Sequence, residues 1–564
     1  MQKLTILLIT MMMVITGCSN NSENAAQPQQ DPASMVLMGG NVITVDDQFS
    51  LKTAVAIQGK RIIAVGSDED IKAYIGSDTN VIDLAGKTVL PGLIDVHGHI
   101  HSYGRLLQNL DLNNTKSYAE IIAMVKAKAE TLEPGEWIIG QGWDQNNWDE
   151  KIFPTQEPLS AVSPNNPVIL NRTDGHAILA NKNAMDIAGI TNDTPDPDGG
   201  KIIRNEAGEA TGVFVDLAEE LIRQYEPVTD KNIADRLTVT ADKALSVGLT
   251  MVHDLGTSPA ELKVFKAMAE NGEFDMRVNV MFDNPAEEID YRAFFKENKI
   301  ENIDDHMLMA KGIKLYRDGA LGSRGALLTE PYHDDTHNYG IEVATQEEVY
   351  EISKAAIDTG IQIVTHAIGD EAVSTTLNSY EKAFNETGKQ DHRFRMEHAQ
   401  IIHEEDVNRF VELGVIPGVQ PGSVITDMDW TETRIGPERI KRAYLFRDFL
   451  NTGTPLIFSS DFPTESINPF EGMYRAVTRM HEDGTPANGW NIEQAVTIEE
   501  AIKAHTIWAA YSSFDEDILG SIETGKYADL IVIDRDVLSI ESTDLKNVQV
   551  EYTIVGGDIK YSKN

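Results

Sequence analysis

Residues 89–101 read Val-Leu-Pro-Gly-Leu-Ile-Asp-Val-His-Gly-His-Ile-His. An apolar run ends in His97 and His99. On a strand, side chains two residues apart share a face, so a strand over Val89–Val96 would aim both imidazoles the same way. Two imidazoles facing one cavity make half of a metal site. Taken alone, His-x-His is also what chance places on a surface turn. The reading becomes specific because further apolar runs downstream end in the same kind of residue.

Eight runs have strand character: Val89–Val96, Thr250–Leu255, Met276–Met281, Ile313–Tyr316, Gln362–Thr365, Arg393–Glu397, Val415–Val419 and Pro455–Ser459. Helical patterns fill most gaps, among them Lys231–Val247, Pro259–Asn271, Thr345–Thr359, Glu404–Leu413 and Ile440–Leu450. Strands alternating with helices predict an α/β chain with a parallel (β/α)8 barrel of the TIM type. The gap after the first strand is too long for one crossover, so an insertion is expected over about residues 105–216. Short alternating runs over 35–88 and 515–564, separated by Gly and Asp, predict strands joined by turns. These two segments could pair into one composite β-sandwich beside a barrel over 89–514.

Barrel active sites form at the C-terminal ends of the strands. His97 and His99 stand at the first. Lys311 and Lys314 lie in the fourth, three apart, so they face opposite ways; Lys314 is nearer the C-terminal end and is the one assigned inward. His366 ends the fifth, His398 the sixth, and Asp461 the eighth. One buried histidine is more often a satisfied core residue than a ligand. Four histidines, a lysine and an aspartate in barrel order form a donor set for divalent metal, with imidazole and carboxylate suiting zinc. Asp461 could also take a proton from an attacking water and return it to the leaving group.

Composition bounds the partners. The chain has 564 residues, 41% hydrophobic and 24% charged, with a net charge of −41. That charge argues against a nucleic-acid partner, since phosphate would be repelled. Lys3 precedes an apolar run from Leu4 to Ile15, shaped like a signal sequence and too short to span a bilayer. Thr16-Gly17-Cys18 follows, and Cys18 is the only cysteine. The pattern resembles a bacterial lipobox: residues 1–17 would be removed, Cys18 lipidated, and residues 18–34 left as a flexible tether. The expected place is a bacterial cell envelope, facing periplasm or exterior, with membrane contact only through the anchor. Homo-oligomerisation stays open.

The strand-end motifs resemble the amidohydrolase superfamily and, within it, amidohydrolase family 3 (YtcJ-like). The pieces that carry the resemblance are Leu90-Pro-Gly-Leu-Ile-Asp-Val-His-Gly-His99, Asp174-Gly-His176 with Asn181, Lys314-Leu-Tyr-Arg-Asp-Gly-Ala-Leu-Gly-Ser-Arg324, His366-Ala-Ile-Gly-Asp370, Glu397-His-Ala-Gln400 and Ser459-Ser-Asp461. The resemblance implies that His97, His99, Lys314, His366, His398 and Asp461 are metal and catalytic positions. It implies two divalent ions, zinc by chemistry, bridged by a carboxylated Lys314. It implies hydrolysis of a C–N bond in a small molecule, such as an N-acyl or N-formyl amide.

Other assignments are open between two roles. His176 could reach a substrate oxygen or make a hydrogen bond within the insertion. Trp143 could wall the pocket or fill a core. Arg317 and Arg324 could bind a substrate carboxylate or form surface ion pairs. His253 reads as supporting or packing. A deaminase or a lactone or ester hydrolase would use the same site, and a lipoprotein that binds metal or solute without turnover is the non-enzymatic alternative.

Overall fold

The computed structural model describes residues 32–563 except 175, 286–288 and 389–390. The leader, Cys18 and most of the tether therefore lie outside the described residues.

Among the described residues the central sheet has nine strands, eight of them along one parallel path: β1 Leu93–Gly98, β2 Leu249–Thr257, β3 Arg277–Phe282, β4 Leu308–Tyr316, β5 Gln362–Ala367, β6 Arg395–His398, β7 Ile416–Val419 and β8 Ile457–Phe458, with Ile300–Ile303 pairing antiparallel to β4. Along that path each strand pairs in parallel with the next. β8 returns to β1 through a parallel bridge between Gly98 and Phe462. The sheet is thus a nearly closed parallel barrel. Most strand residues are buried on both faces, as a sheet wrapped by helices requires.

The helices obey local chemistry. Ser258 caps Pro259–Asn271 with Glu261 completing a capping box, and Gly272 ends the helix at φ 69°. Thr345, Glu348 and Gly360 do the same for Gln346–Thr359. Both are standard start and stop signals. Apolar residues of these helices and of the strands share one core.

Two expectations need correction. Val89–Val96 is not one strand. Thr88–Pro91 belongs to a separate sheet, and the barrel strand starts at Leu93. Gly92 lies at the break, where a Cβ would come within 2.2 Å of the Thr250 side chain. Ile440–Leu450 is not one helix either. The chain turns at Tyr444, φ 57°, where its N–H bonds the Gln400 carbonyl, before Phe446–Asn451 begins.

The chain ends meet. Leu530–Ile533 pairs antiparallel with Thr88–Pro91 in a six-stranded sheet. A four-stranded sheet is built from Met35–Met38, Ala54–Gln58, Arg61–Gly66 and Asn80–Asp83. Leu37 and Val55 of the smaller sheet pack with Val89 and Val532 of the larger. Between β1 and β2, residues 110–216 supply a third, six-stranded sheet with its own apolar clusters. No helix among the described residues is long and apolar enough to cross a membrane.

A buried ion pair joins the barrel to the C-terminal sheet. Arg277 of β3 contacts Asp529 at 2.6 and 2.9 Å, with side chains 1% and 4% exposed. Removing one partner leaves the other charge buried and unpaired, which costs about 3–5 kcal/mol. Asp529→Ala should therefore lower the first thermal unfolding transition by several degrees, and Arg277→Met with Asp529→Leu should recover most of that loss. An unchanged transition in the single variant would show that the pair contributes nothing.

Candidate metal-binding active site

The site lies at the seam where β8 closes on β1. Asp461 donates its backbone N–H to the His97 carbonyl at 2.8 Å, and His99 donates to the Phe462 carbonyl at 3.0 Å. Gly98 allows this approach, because a Cβ there would lie 2.3 Å from the Phe462 ring. Asp95, two residues before His97, spans the same seam. It accepts from the His97 N–H at 3.0 Å and from the Ser460 hydroxyl at 2.6 Å. Burial pushes its carboxyl up to about 7.

His97, His99, Lys314, His366, His398 and Asp461 all line one cavity of about 400 Å3. His97 Nε2, His99 Nε2 and an Asp461 oxygen form a cluster of possible ligand atoms within 4.8 Å of one another. Asp461 Oδ1 is 3.0 Å from His99 Nε2 and 3.3 Å from His97 Nε2. Lys314 Nζ sits 3.2 Å from His97 Nε2. The His366 and His398 rings stand 4.4 Å apart, and His398 is 5.1 Å from His97. Lys311 instead reaches the Ser513 carbonyl and Asp515.

The outer nitrogens of three histidines are already engaged. His97 Nδ1 meets Glu397 Oε2 at 2.8 Å, His99 Nδ1 the Leu255 carbonyl at 2.8 Å, and His398 Nδ1 the Gln420 Oε1 at 2.8 Å. Each acceptor requires a proton on Nδ1; in His97 and His398 that leaves an Nε2 lone pair toward the cavity, while His99 Nε2 meets the Asp461 carboxylate. His366 Nε2 is buried without a hydrogen-bond partner, 3.5 Å from Asp318. Buried imidazoles with fixed tautomers and free lone pairs, beside a carboxylate, fit a divalent cation.

Electrostatics agree. Burial holds His97 and His398 well below the usual histidine range, and brings His366 down to about 3 with the Lys314 charge adding to the effect. Burial works against charge on His99 too, but the hydrogen bond and charge of Asp461 outweigh it and raise it. Burial likewise opposes the Asp461 carboxylate, yet His97 and His99 keep it below its ordinary value. Burial depresses Lys314 to about 8, against the pull of Glu397 and Asp461.

Several supporting residues, His253 excepted, had no role in the sequence reading. Glu397 also pairs with Arg395 at 2.7 Å, and Arg395 meets His253 Nδ1 at 2.9 Å, all fully buried. Gln420 donates to the Ser459 hydroxyl at 2.9 Å. Asp254 accepts from the Ile100 N–H at 2.7 Å. The signal for Glu397 and Asp95 was proximity: each lies within two residues of a histidine at a strand end.

The four residues left open between two roles do not line this cavity. Trp143 is fully buried in the insertion, donating to the Leu170 carbonyl at 2.8 Å. His176 is 73% exposed and pairs with Asp216 at 2.9 Å. Arg317 is buried against Glu342 at 2.7 Å, and Arg324 pairs with Asp334 at 2.9 Å. The insertion's own core holds Trp143, and carboxylates hold the other three side chains.

The model of the amidohydrolase family matches residues 80–561. The YtcJ protein of Bacillus subtilis is 31% identical over 535 residues, 93% of this chain and 99% of that one. An N-substituted formamide deformylase of Arthrobacter pascens is 28% identical over 543 residues, 94% of this chain and 98% of that one. The crystal structure of an uncharacterized metal-dependent hydrolase from Pyrococcus furiosus superposes with a TM-score of 0.74 at 28% identity, covering 89% of this chain and 99% of that one.

The Glu397 contact predicts a measurable effect on metal. Glu397→Gln keeps an acceptor but removes the charge, and should weaken divalent metal binding about 10–100-fold. Metal content after competition with a chelator reads this directly, and unchanged retention would show that Glu397 does not prepare His97 as a ligand.

Proposed function

Because the chain belongs to the amidohydrolase family, we propose that it is a metal-dependent hydrolase cleaving the C–N bond of a small amide, an N-acyl or N-formyl amine. The observation that carries this reading is the cluster of His97, His99 and Asp461 beside a buried Lys314. The formamide deformylase among its relatives supports the choice of bond.

His97, His99 and Asp461 would hold one ion, and His366 with His398 a second. Lys314, with burial depressing it to about 8, has an amine that is substantially neutral near pH 8 and can add carbon dioxide, losing a proton. The carbamate so formed has two oxygens with which to bridge the ions. When bound, divalent metal, zinc by donor chemistry, supplies Lewis acidity that polarises a carbonyl and acidifies water. Asp461 is placed to take the proton as water adds to the carbonyl carbon. It then delivers that proton to the nitrogen as the C–N bond breaks, and the amine leaves.

We also read the leader as a lipoprotein signal that anchors the enzyme through Cys18 at a bacterial cell envelope. The charged start, the short apolar run and Thr-Gly-Cys support that reading.

Two experiments test the chemistry. Asp461→Asn should keep most bound metal and lower turnover of N-formyl amines by orders of magnitude; retained turnover would remove Asp461 as the proton carrier. Bicarbonate-dependent activation of metal-stripped protein, followed by zinc, should rise with pH through about 8, because the neutral amine dominates above that value. A profile flat from pH 7 to pH 9 would count against the carbamate.

A further inference from the structure

Part of the cavity lining is left unused by the metal-binding residues. Gln400 lies two residues after His398, is 6% exposed, and its Oε1 has no hydrogen-bond partner among the described residues. A buried carboxamide without a partner is costly unless a ligand supplies one. Asp427 lines the same cavity at the end of helix Pro421–Asp427. Its partners are neutral: the Tyr444 hydroxyl at 2.5 Å and the Thr426 hydroxyl at 3.4 Å. Among the described residues no cation forms an ion pair with it. Burial pushes its carboxyl up to about 6, with the charge of Glu465 adding to the effect.

The neighbouring charges are accounted for. Glu465 is paired with Arg475 at 3.1 Å. Arg434 stands 5.6 Å from the Trp430 ring and is paired with Asp334. Of the carboxylates in the lining, Asp461 belongs to the metal cluster and Glu465 to Arg475, which leaves Asp427 without a cation among the described residues. The lining also presents the Trp430 indole. An indole face is a poor partner for a hard cation and a good one for an organic cation, and a carboxamide oxygen can accept a hydrogen bond from a protonated nitrogen. Arg317 and Arg324, which could have received a carboxylate, are paired outside the cavity.

We propose that Gln400, Asp427 and Trp430 form a subsite for a protonated nitrogen, so that the substrate is a small amide bearing an ammonium or amidinium group. Asp427 pairs with the charge, Trp430 faces it, and Gln400 accepts a hydrogen bond through Oε1. This rests on the amide-hydrolase reading and adds what the amide carries.

The test uses the zinc-loaded full chain and two matched probe pairs. N-formyl-1,4-diaminobutane and N-formylpentylamine exchange an ammonium for a methyl and are compared in kcat/KM. Benzamidine and benzamide exchange a cation for a neutral group and are compared by calorimetry. The cationic member of each pair should be favoured about tenfold or more, and Asp427→Asn should erase the ratio. Because the ratio is taken within each variant, a partly unstable protein still reports; Trp430→Leu should lower it as well. If neither formamide is hydrolysed yet benzamidine keeps its Asp427-dependent advantage, the subsite stands and the amide-hydrolase reading falls. If both formamides are hydrolysed with equal efficiency, or neither benzamidine nor its neutral partner is preferred, or the preference survives Asp427→Asn, the subsite is overturned.

Discussion

The closing seam between β8 and β1 is the constraint on which the site depends. A barrel of parallel strands must join its last strand to its first, and here that join is made by backbone bonds of the ligand residues themselves. The Asp461 N–H meets the His97 carbonyl, and the His99 N–H meets the Phe462 carbonyl. Closing the fold and bringing the two ends of the donor cluster together are therefore one event. Gly98 matters because the Phe462 ring occupies the space of its missing side chain, and Asp95 matters because it ties both sides of the join.

The site is costly to build. Buried imidazoles, carboxylates and an ammonium share a small volume, and burial alone would neutralise most of them. The supporting residues answer that cost. Glu397 holds His97, Arg395 holds Glu397, and His253 accompanies Arg395. His398 and Asp461 also sit in the left-handed backbone region, at φ 72° and 58°. Such conformations persist where surrounding bonds overdetermine them, and they concentrate at working sites. Rigid placement leaves the ligand atoms little to reorganise when a cation arrives.

Much of the barrel was legible because strand and helix periods differ and five of the eight strands carry a candidate ligand, a histidine, lysine or aspartate, at or near their ends. The Val89–Val96 run hid its break, since an apolar stretch looks the same whether it serves one sheet or two. Trp143, Arg317 and Arg324 stayed open between two roles for a related reason. An indole or a guanidinium suits a pocket or a structural contact equally well, and Leu170, Glu342 and Asp334 were within reach. Nothing in spacing reveals which partner lies nearest in space.

The alternation of periods, together with histidine, lysine and aspartate at strand ends, specifies a parallel barrel and the chemistry its mouth can hold. These are local properties, set by backbone geometry and by the functional groups each residue carries. Tautomers, depressed lysine basicity, the Tyr444 contact of Asp427 and the burial of the Gln400 carboxamide depend on residues tens to hundreds of positions apart. Burial and hydrogen bonding are properties of neighbours in space, and those neighbours exist only once the strands have closed.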